Sequence, residues 1–163
     1  MFKQFILVFL FVVAGSKTNP VFSQGVTESQ HLIEHKPLMN EVWKTFDTML
    51  YKVNKVNGKT VYTPYFPSKL SKLDGTSVEL QGYMVPLKAG LRHNRFLLSV
   101  LPVQQCMFCG QNGIPPMVEV TLSDNNKVWL KENPVIVKGY VKLNEKDRSR
   151  VEIFIRDAAL LKQ

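Results

Sequence analysis

Val78-Glu79-Leu80-Gln81-Gly82-Tyr83-Met84-Val85-Pro86-Leu87 carries apolar residues at every second position through Val78, Leu80 and Met84. A period of two is that of a strand with one buried face. Past Gly82 the apolar residues fall on both sides, so this strand is expected to bulge or reverse near that glycine. Four further runs have strand length and composition: Phe96 to Leu101, Met117 to Leu122, Val135 to Leu143 and Val151 to Ile155. Asp124-Asn125-Asn126 and Asn144 to Asp147 supply turns between them. Asp157-Ala158-Ala159-Leu160-Leu161 reads as a short closing turn or helix.

Five short strands, with Gly82 and Gly139 where a sheet must bend sharply, predict a mainly β (α+β) domain. The architecture expected is a small five-stranded OB-like barrel, the oligonucleotide/oligosaccharide-binding type, with a β-sandwich as the alternative. Upstream, Met39, Val42, Trp43, Phe46, Met49 and Leu50 recur in steps of three or four and predict one amphipathic helix. Pro37 suits its first turn, and Trp43 and Phe46 are read as buried anchors. Asn57-Gly58 between two short apolar runs signals a hairpin, because both residues tolerate positive φ. Thr63-Pro64-Tyr65-Phe66-Pro67 is excluded from any interior strand or helix and reads as an extended crossing segment. Ser68 is placed as the cap of a short turn through Leu73, with Asp74-Gly75 as its exit.

The start of the chain has the form of an export signal. A short basic opening precedes the apolar run Phe5 to Ala14, which is too short to span a bilayer. Residues 1–23 are therefore expected to be a signal peptide cut before Gln24, residues 24–38 a flexible segment, and residues 39–163 a single β-rich domain. Of 163 residues, 140 would remain, enough for one core. The leader removes Lys3 and Lys17 and no acid, so the net charge falls from +8 to +6. Scattered cations such as Lys36, Lys44, Arg92 and Arg95 suggest a generally basic surface able to meet an anionic one. An exported address argues against nucleic acid as a partner. It places the protein in the bacterial periplasm or outside the cell, with no transmembrane span after cleavage and, in the absence of a leader cysteine, no lipid anchor.

Cys106-Met107-Phe108-Cys109-Gly110 holds the two cysteines of the chain. A thioredoxin-like pair needs its first thiol at a helix N-terminus, but Gly110-Gln111-Asn112-Gly113-Ile114-Pro115-Pro116 cannot form that helix. Haem attachment needs histidine where Gly110 stands. Two thiolates on a glycine-bounded turn instead supply half of a tetrahedral site, with zinc the first candidate metal. A structural disulfide, or two thiols that fill space, is the competing reading. Co-ligands would have to come from His93, His31, His35, a carboxylate or a second subunit. His93, in the loop before Phe96, is read by default as a solvated loop histidine and only secondarily as a ligand.

His31-Leu32-Ile33-Glu34-His35 matches the H-x-x-E-H pattern of inverted zinc proteases. Lys36-Pro37 interrupts the helix such a site needs, so the match is taken as fortuitous. No nucleophile elbow, phosphate-binding loop or dinucleotide fingerprint occurs in the chain.

Trp43, Pro64-Tyr65-Phe66-Pro67, Leu73-Asp74-Gly75, Gly82-Tyr83-Met84-Val85-Pro86-Leu87, Phe96-Leu97-Leu98-Ser99 and Cys106-Met107-Phe108-Cys109-Gly110, in that order, resemble an uncharacterised family of small exported bacterial proteins, a domain of unknown function. The resemblance covers nearly all of the chain after the leader. It implies association with an envelope or transporter component, including metal uptake, and assigns no role to His31, His35 or His93. The reading that follows is a periplasmic accessory binding protein in which Cys106 and Cys109 bind zinc. The alternatives are a protein- or envelope-binding module with a structural disulfide, and, behind it, a thiol-redox or metallopeptidase enzyme.

Overall fold

The computed structural model describes residues 36–103 and 116–161. The leader, the His31-Glu34-His35 pattern and the Cys106 and Cys109 pair lie outside the described residues. In chain order the elements are helix α1 (Glu41–Phe46), strands β1 (Leu50–Val56) and β2 (Lys59–Tyr65), helix α2 (Ser68–Ser71), β3 (Ser77–Pro86), β4 (Arg92–His93), β5 (Arg95–Ser99), β6 (Met117–Leu122), β7 (Val128–Trp129), β8 (Val135–Leu143) and β9 (Ile153–Leu161).

Five of these strands close into a barrel in the order β3-β5-β6-β9-β8. All neighbours are antiparallel except β6 and β9. Numbered along the chain as barrel strands one to five, the order is 1-2-3-5-4, closing on 1. Closure removes the sandwich alternative and leaves no open edge in the barrel.

Gly82 and Gly139 make that closure possible. Strand β3 pairs with β8 through Ser77 to Gly82 and with β5 through Tyr83 to Pro86, so it changes partner immediately after Gly82. A Cβ there would stand 2.7 Å from Leu98 Cγ and 2.8 Å from the Ser99 carbonyl oxygen. At Gly139 it would meet Ile155 Cγ2 at 2.7 Å and the Arg156 oxygen at 2.8 Å. Opposite Gly139 the register with β9 shifts, and Asp157 takes a φ of 49°. This bulge corrects the expected closing turn or helix. Beyond Asp157 the chain continues as strand, with Ala159, Leu160 and Leu161 paired to Lys138, Val137 and Ile136. Backbone pairing with β8 overrides the weak helical composition of the segment.

The interior is filled by Leu80, Phe96, Leu98, Val118, Val120, Val137, Val141 and Ile155, all buried. Trp43, Phe46 and Leu70 join the same core cluster, as the sequence predicts for the two aromatic residues. The helix carrying them is shorter than its apolar stripe suggests. Pro37 lies before it and not in its first turn: Asn40 caps it by accepting from the Trp43 N–H at 2.9 Å, and it ends at Phe46. Leu50 already pairs with Tyr65 in the next hairpin. Similarly, α2 begins after Pro67 without a side-chain cap, so Ser68 does not play the role assigned to it.

The Asn57-Gly58 turn is present, with φ values of 50° and 75° and seven paired residues on each side. Pro64 lies within β2, where a two-stranded ribbon tolerates a missing donor at its edge. Asp74 and Gly75 tie the turn after α2 to the barrel. The Leu143 N–H and Lys142 Nζ donate to the Asp74 carboxylate at 2.9 and 3.0 Å, and the Gly75 N–H donates to the Val141 oxygen at 2.8 Å. Among the described residues no helix is long and apolar enough to cross a membrane.

Candidate binding face

Alternation along β5, β6 and β9 sends Phe96, Leu98, Val118, Val120 and Ile155 inward and their neighbours outward. Leu97, Glu119 and Phe154 form one outward row across the three strands, and Arg95 and Thr121 begin the next. Arg156 joins that second row by donating from Nη1 to Thr121 Oγ1 at 3.3 Å. These are the second, third and fifth barrel strands. In barrels of this type the outer face of the second and third strands, between the first-second and fourth-fifth loops, is where ligands are held.

Glu119 is the centre of the face and is only 3% exposed. A carboxylate so buried requires charged partners. Arg150, from the loop joining β8 to β9, reaches it in a bidentate grip, Nε to Oε2 at 3.1 Å and Nη2 to Oε1. Arg95 Nε lies 3.3 Å from the same Oε1. The guanidinium groups of Arg150 and Arg156 each stand 4.4 Å from the centroid of the Phe154 ring, within cation–π range. Phe154 thus lies buried on the outside of the barrel beneath two cations rather than in the core.

One carboxylate therefore serves a group of three guanidinium side chains. The hydrogen bonds it donates to Glu119 hold the Arg150 guanidinium above its ordinary pKa. Burial, followed by the positive charge of Arg150, brings Arg156 below its ordinary value, and Glu119 only partly offsets this. Among the described residues Arg156 has no carboxylate at ion-pair distance. The arrangement stabilises an added negative charge.

The loop that delivers Arg150 is organised by Asn144. Its Nδ2 donates to the Asp147 and Val151 oxygens at 2.7 and 2.9 Å, and its Oδ1 accepts from the Asp147 N–H at 2.9 Å. Arg148, on the same loop, donates to the Tyr62 oxygen and to Thr63 Oγ1, joining the loop to the β1–β2 hairpin. Two open clefts flank the arginines. One of 410 Å³ is lined by Leu87, Lys88, Asn94, Arg95, Thr121 and Arg156. The other, of 390 Å³, shares Leu87 and Arg95 with it and extends over Glu119 to Arg148 and Arg150.

His93, the one sequence-predicted candidate among the described residues, is not solvated. It is 1% exposed, paired with Val128 in a two-stranded ribbon of β4 and β7. Its Nε2 lies 2.9 Å from the Gly90 oxygen, which fixes that nitrogen as the donor. The buried Nδ1 has no hydrogen-bond partner. His93 precedes β5, whereas the connection carrying Cys106 and Cys109 leaves from the far end of that strand, about 13 Å along it. Among the described residues no three His, Cys, Asp or Glu side chains group to hold a metal ion. Glu119, Arg150, Phe154 and Arg156 escape the sequence reading, although Glu119 between Val118 and Val120 carries a signal: an acid inside an apolar strand needs a partner.

Comparison of the chain with protein-family models, with curated proteins and with solved structures gives no match.

Proposed function

We propose that the protein is a binding module whose β5–β6–β9 face takes an anionic ligand. The observation that carries this reading is the cluster of Arg95, Arg150 and Arg156 around one buried carboxylate, on the barrel face where ligands are held, with open clefts beside it. Arg156 and Arg95 meet the ligand's negative charge, while Glu119 orients Arg150. A charge-assisted hydrogen bond contributes about 1.5–3 kcal/mol. Arg156→Gln should therefore weaken binding of inorganic tripolyphosphate, measured by calorimetry, about tenfold or more. Lys59→Gln, at the start of β2 and outside the lining of both clefts, should leave it unchanged. Equal binding by all three proteins would rule the face out. If residues 1–23 act as an export signal, this binding takes place in the periplasm or outside the cell.

A second reading follows the thiol pair. Cys106 and Cys109 bind zinc in a periplasmic accessory protein that serves an envelope or transporter component, in line with the family the chain resembles. It is supported by the Cys-x-x-Cys spacing, two thiolates on a glycine-bounded turn that supply half of a tetrahedral site. Metal analysis of the full chain purified under reducing conditions should find one zinc per chain, lost on Cys106→Ser. An intramolecular disulfide with no zinc would instead assign the cysteines a purely structural role.

A further inference from the structure

The β1–β2 hairpin stands outside the barrel, its strands paired only with each other. A two-stranded ribbon is marginal alone, and this one is held by its neighbour. Tyr51 donates through its hydroxyl to Glu152, while Arg148 donates to Tyr62 and Thr63. Burial, then the hydrogen bond to Glu152, pushes the Tyr51 hydroxyl up to about 12. Between hairpin and loop lies a cleft of 770 Å³. Tyr62 is opposite Val53 in register, and its ring meets that of Tyr51 edge-on at 6.4 Å. The two tyrosines stay 46% and 57% exposed, Tyr51 and Tyr62 respectively.

This cleft adjoins the arginine face. It shares Arg148 and Glu152 with the 390 Å³ cleft, which in turn shares Arg95 with the 410 Å³ cleft bearing Arg156. A small ion would occupy a fraction of such a track, so its dimensions suit an extended ligand. The chemistry changes along it. At the hairpin end, aromatic rings stand beside the carboxylates Glu145, Asp147 and Glu152; at the barrel end, guanidinium groups dominate. Those acids repel a phosphodiester backbone but accept hydrogen bonds from hydroxyl groups, and tyrosine rings stack on the apolar faces of sugars. A single-stranded nucleic acid would place like charges together at one end of the track; a hydroxyl-rich chain with spaced anionic groups would not.

We propose that the track from Tyr62 to Arg156 binds a linear acidic glycan. The proposal rests on the anion-binding reading of the barrel face and adds the hairpin as a sugar-stacking platform. The test titrates the full chain with oligosaccharides of hyaluronan and of unsulfated chondroitin, which carry a carboxylate on every second sugar only, and with an oligothymidylate of similar length. At least one acidic glycan should bind more tightly than the oligothymidylate. Tyr62→Ala should weaken glycan binding about tenfold yet leave tripolyphosphate binding unchanged, whereas Arg156→Gln should weaken both. Tyr62→Phe should retain glycan binding, because the ring and not the hydroxyl is the platform; Tyr62 is exposed, so the fold survives either change. Failure of both glycans to bind, tighter binding of oligothymidylate, or indifference to Tyr62→Ala would overturn the glycan proposal. Tripolyphosphate binding sensitive to Arg156 would survive any of these outcomes and keep the anion-binding reading separate.

Discussion

Replacing Trp43 with alanine is expected to lower the unfolding free energy by about 4 kcal/mol, within the range of about 3–5 for a large aromatic removed from a core. Trp43 is fully buried and packs edge-on against Phe46 with ring centroids 5.9 Å apart. Its indole N–H donates to the Gln81 oxygen at 2.9 Å, next to the point where β3 changes partner. Helix α1 has six residues, far below the length at which a helix is stable by itself, so its packing holds it. The alanine variant loses three things together: the buried area, the aromatic pair and the partner of a strand carbonyl. Trp43→Phe restores most of the volume but not the hydrogen bond and should cost about 1–3 kcal/mol. Urea denaturation followed by far-UV circular dichroism reads both values. A loss below about 1 kcal/mol for the alanine variant would mean that α1 does not anchor on the barrel through this side chain.

Trp43 and Phe46 were legible because a burial stripe is a local pattern. The same holds for the five barrel strands and for Asn57-Gly58, whose conformational demand is met by two adjacent residues. The second half of the closing strand was not legible. Asp157-Ala158-Ala159-Leu160-Leu161 lacks β-branched residues, and only pairing with β8, eased by the bulge at Asp157, makes it extended. The helix was over-read for the converse reason: Met49 packs on the core and Leu50 begins a strand, yet both fit the helical spacing. The binding face depends on long-range closure. Arg150 meets Glu119 across 31 positions, and Arg156 meets Thr121 across 35. Of that site only Glu119 announces itself. His93 misleads a local reading because the ribbon that buries it consists of two residues from each strand.

Glu119→Gln separates the two things that carboxylate does. Breaking one side of a buried ion pair costs about 3–5 kcal/mol when the surviving charge stays dry. Arg150 retains 25% exposure and Arg95 52%, so water recovers part of that loss. The expected drop in stability is therefore about 2–3 kcal/mol, read by urea denaturation. Added salt should return part of it by screening the arginines from one another. The double variant Glu119→Leu with Arg150→Leu should be more stable than Glu119→Gln alone, since Arg150 leaves together with the carboxylate it pairs with, its repulsion of Arg156 goes too, and Arg95, which loses its partner, is 52% exposed. The effect on ligand is the sharper measurement. Glu119→Gln makes the face more positive by one charge, so a face that attracts anions by net charge alone would bind tripolyphosphate more tightly. A face that works by holding Arg150 in a fixed bidentate geometry would bind it several-fold less tightly, because the guanidinium must then be ordered at the ligand's expense. We expect weaker binding. Tighter binding in a folded Glu119→Gln protein would show that Glu119 merely dilutes the positive charge of the face, and Arg150 would lose its place as an oriented contact.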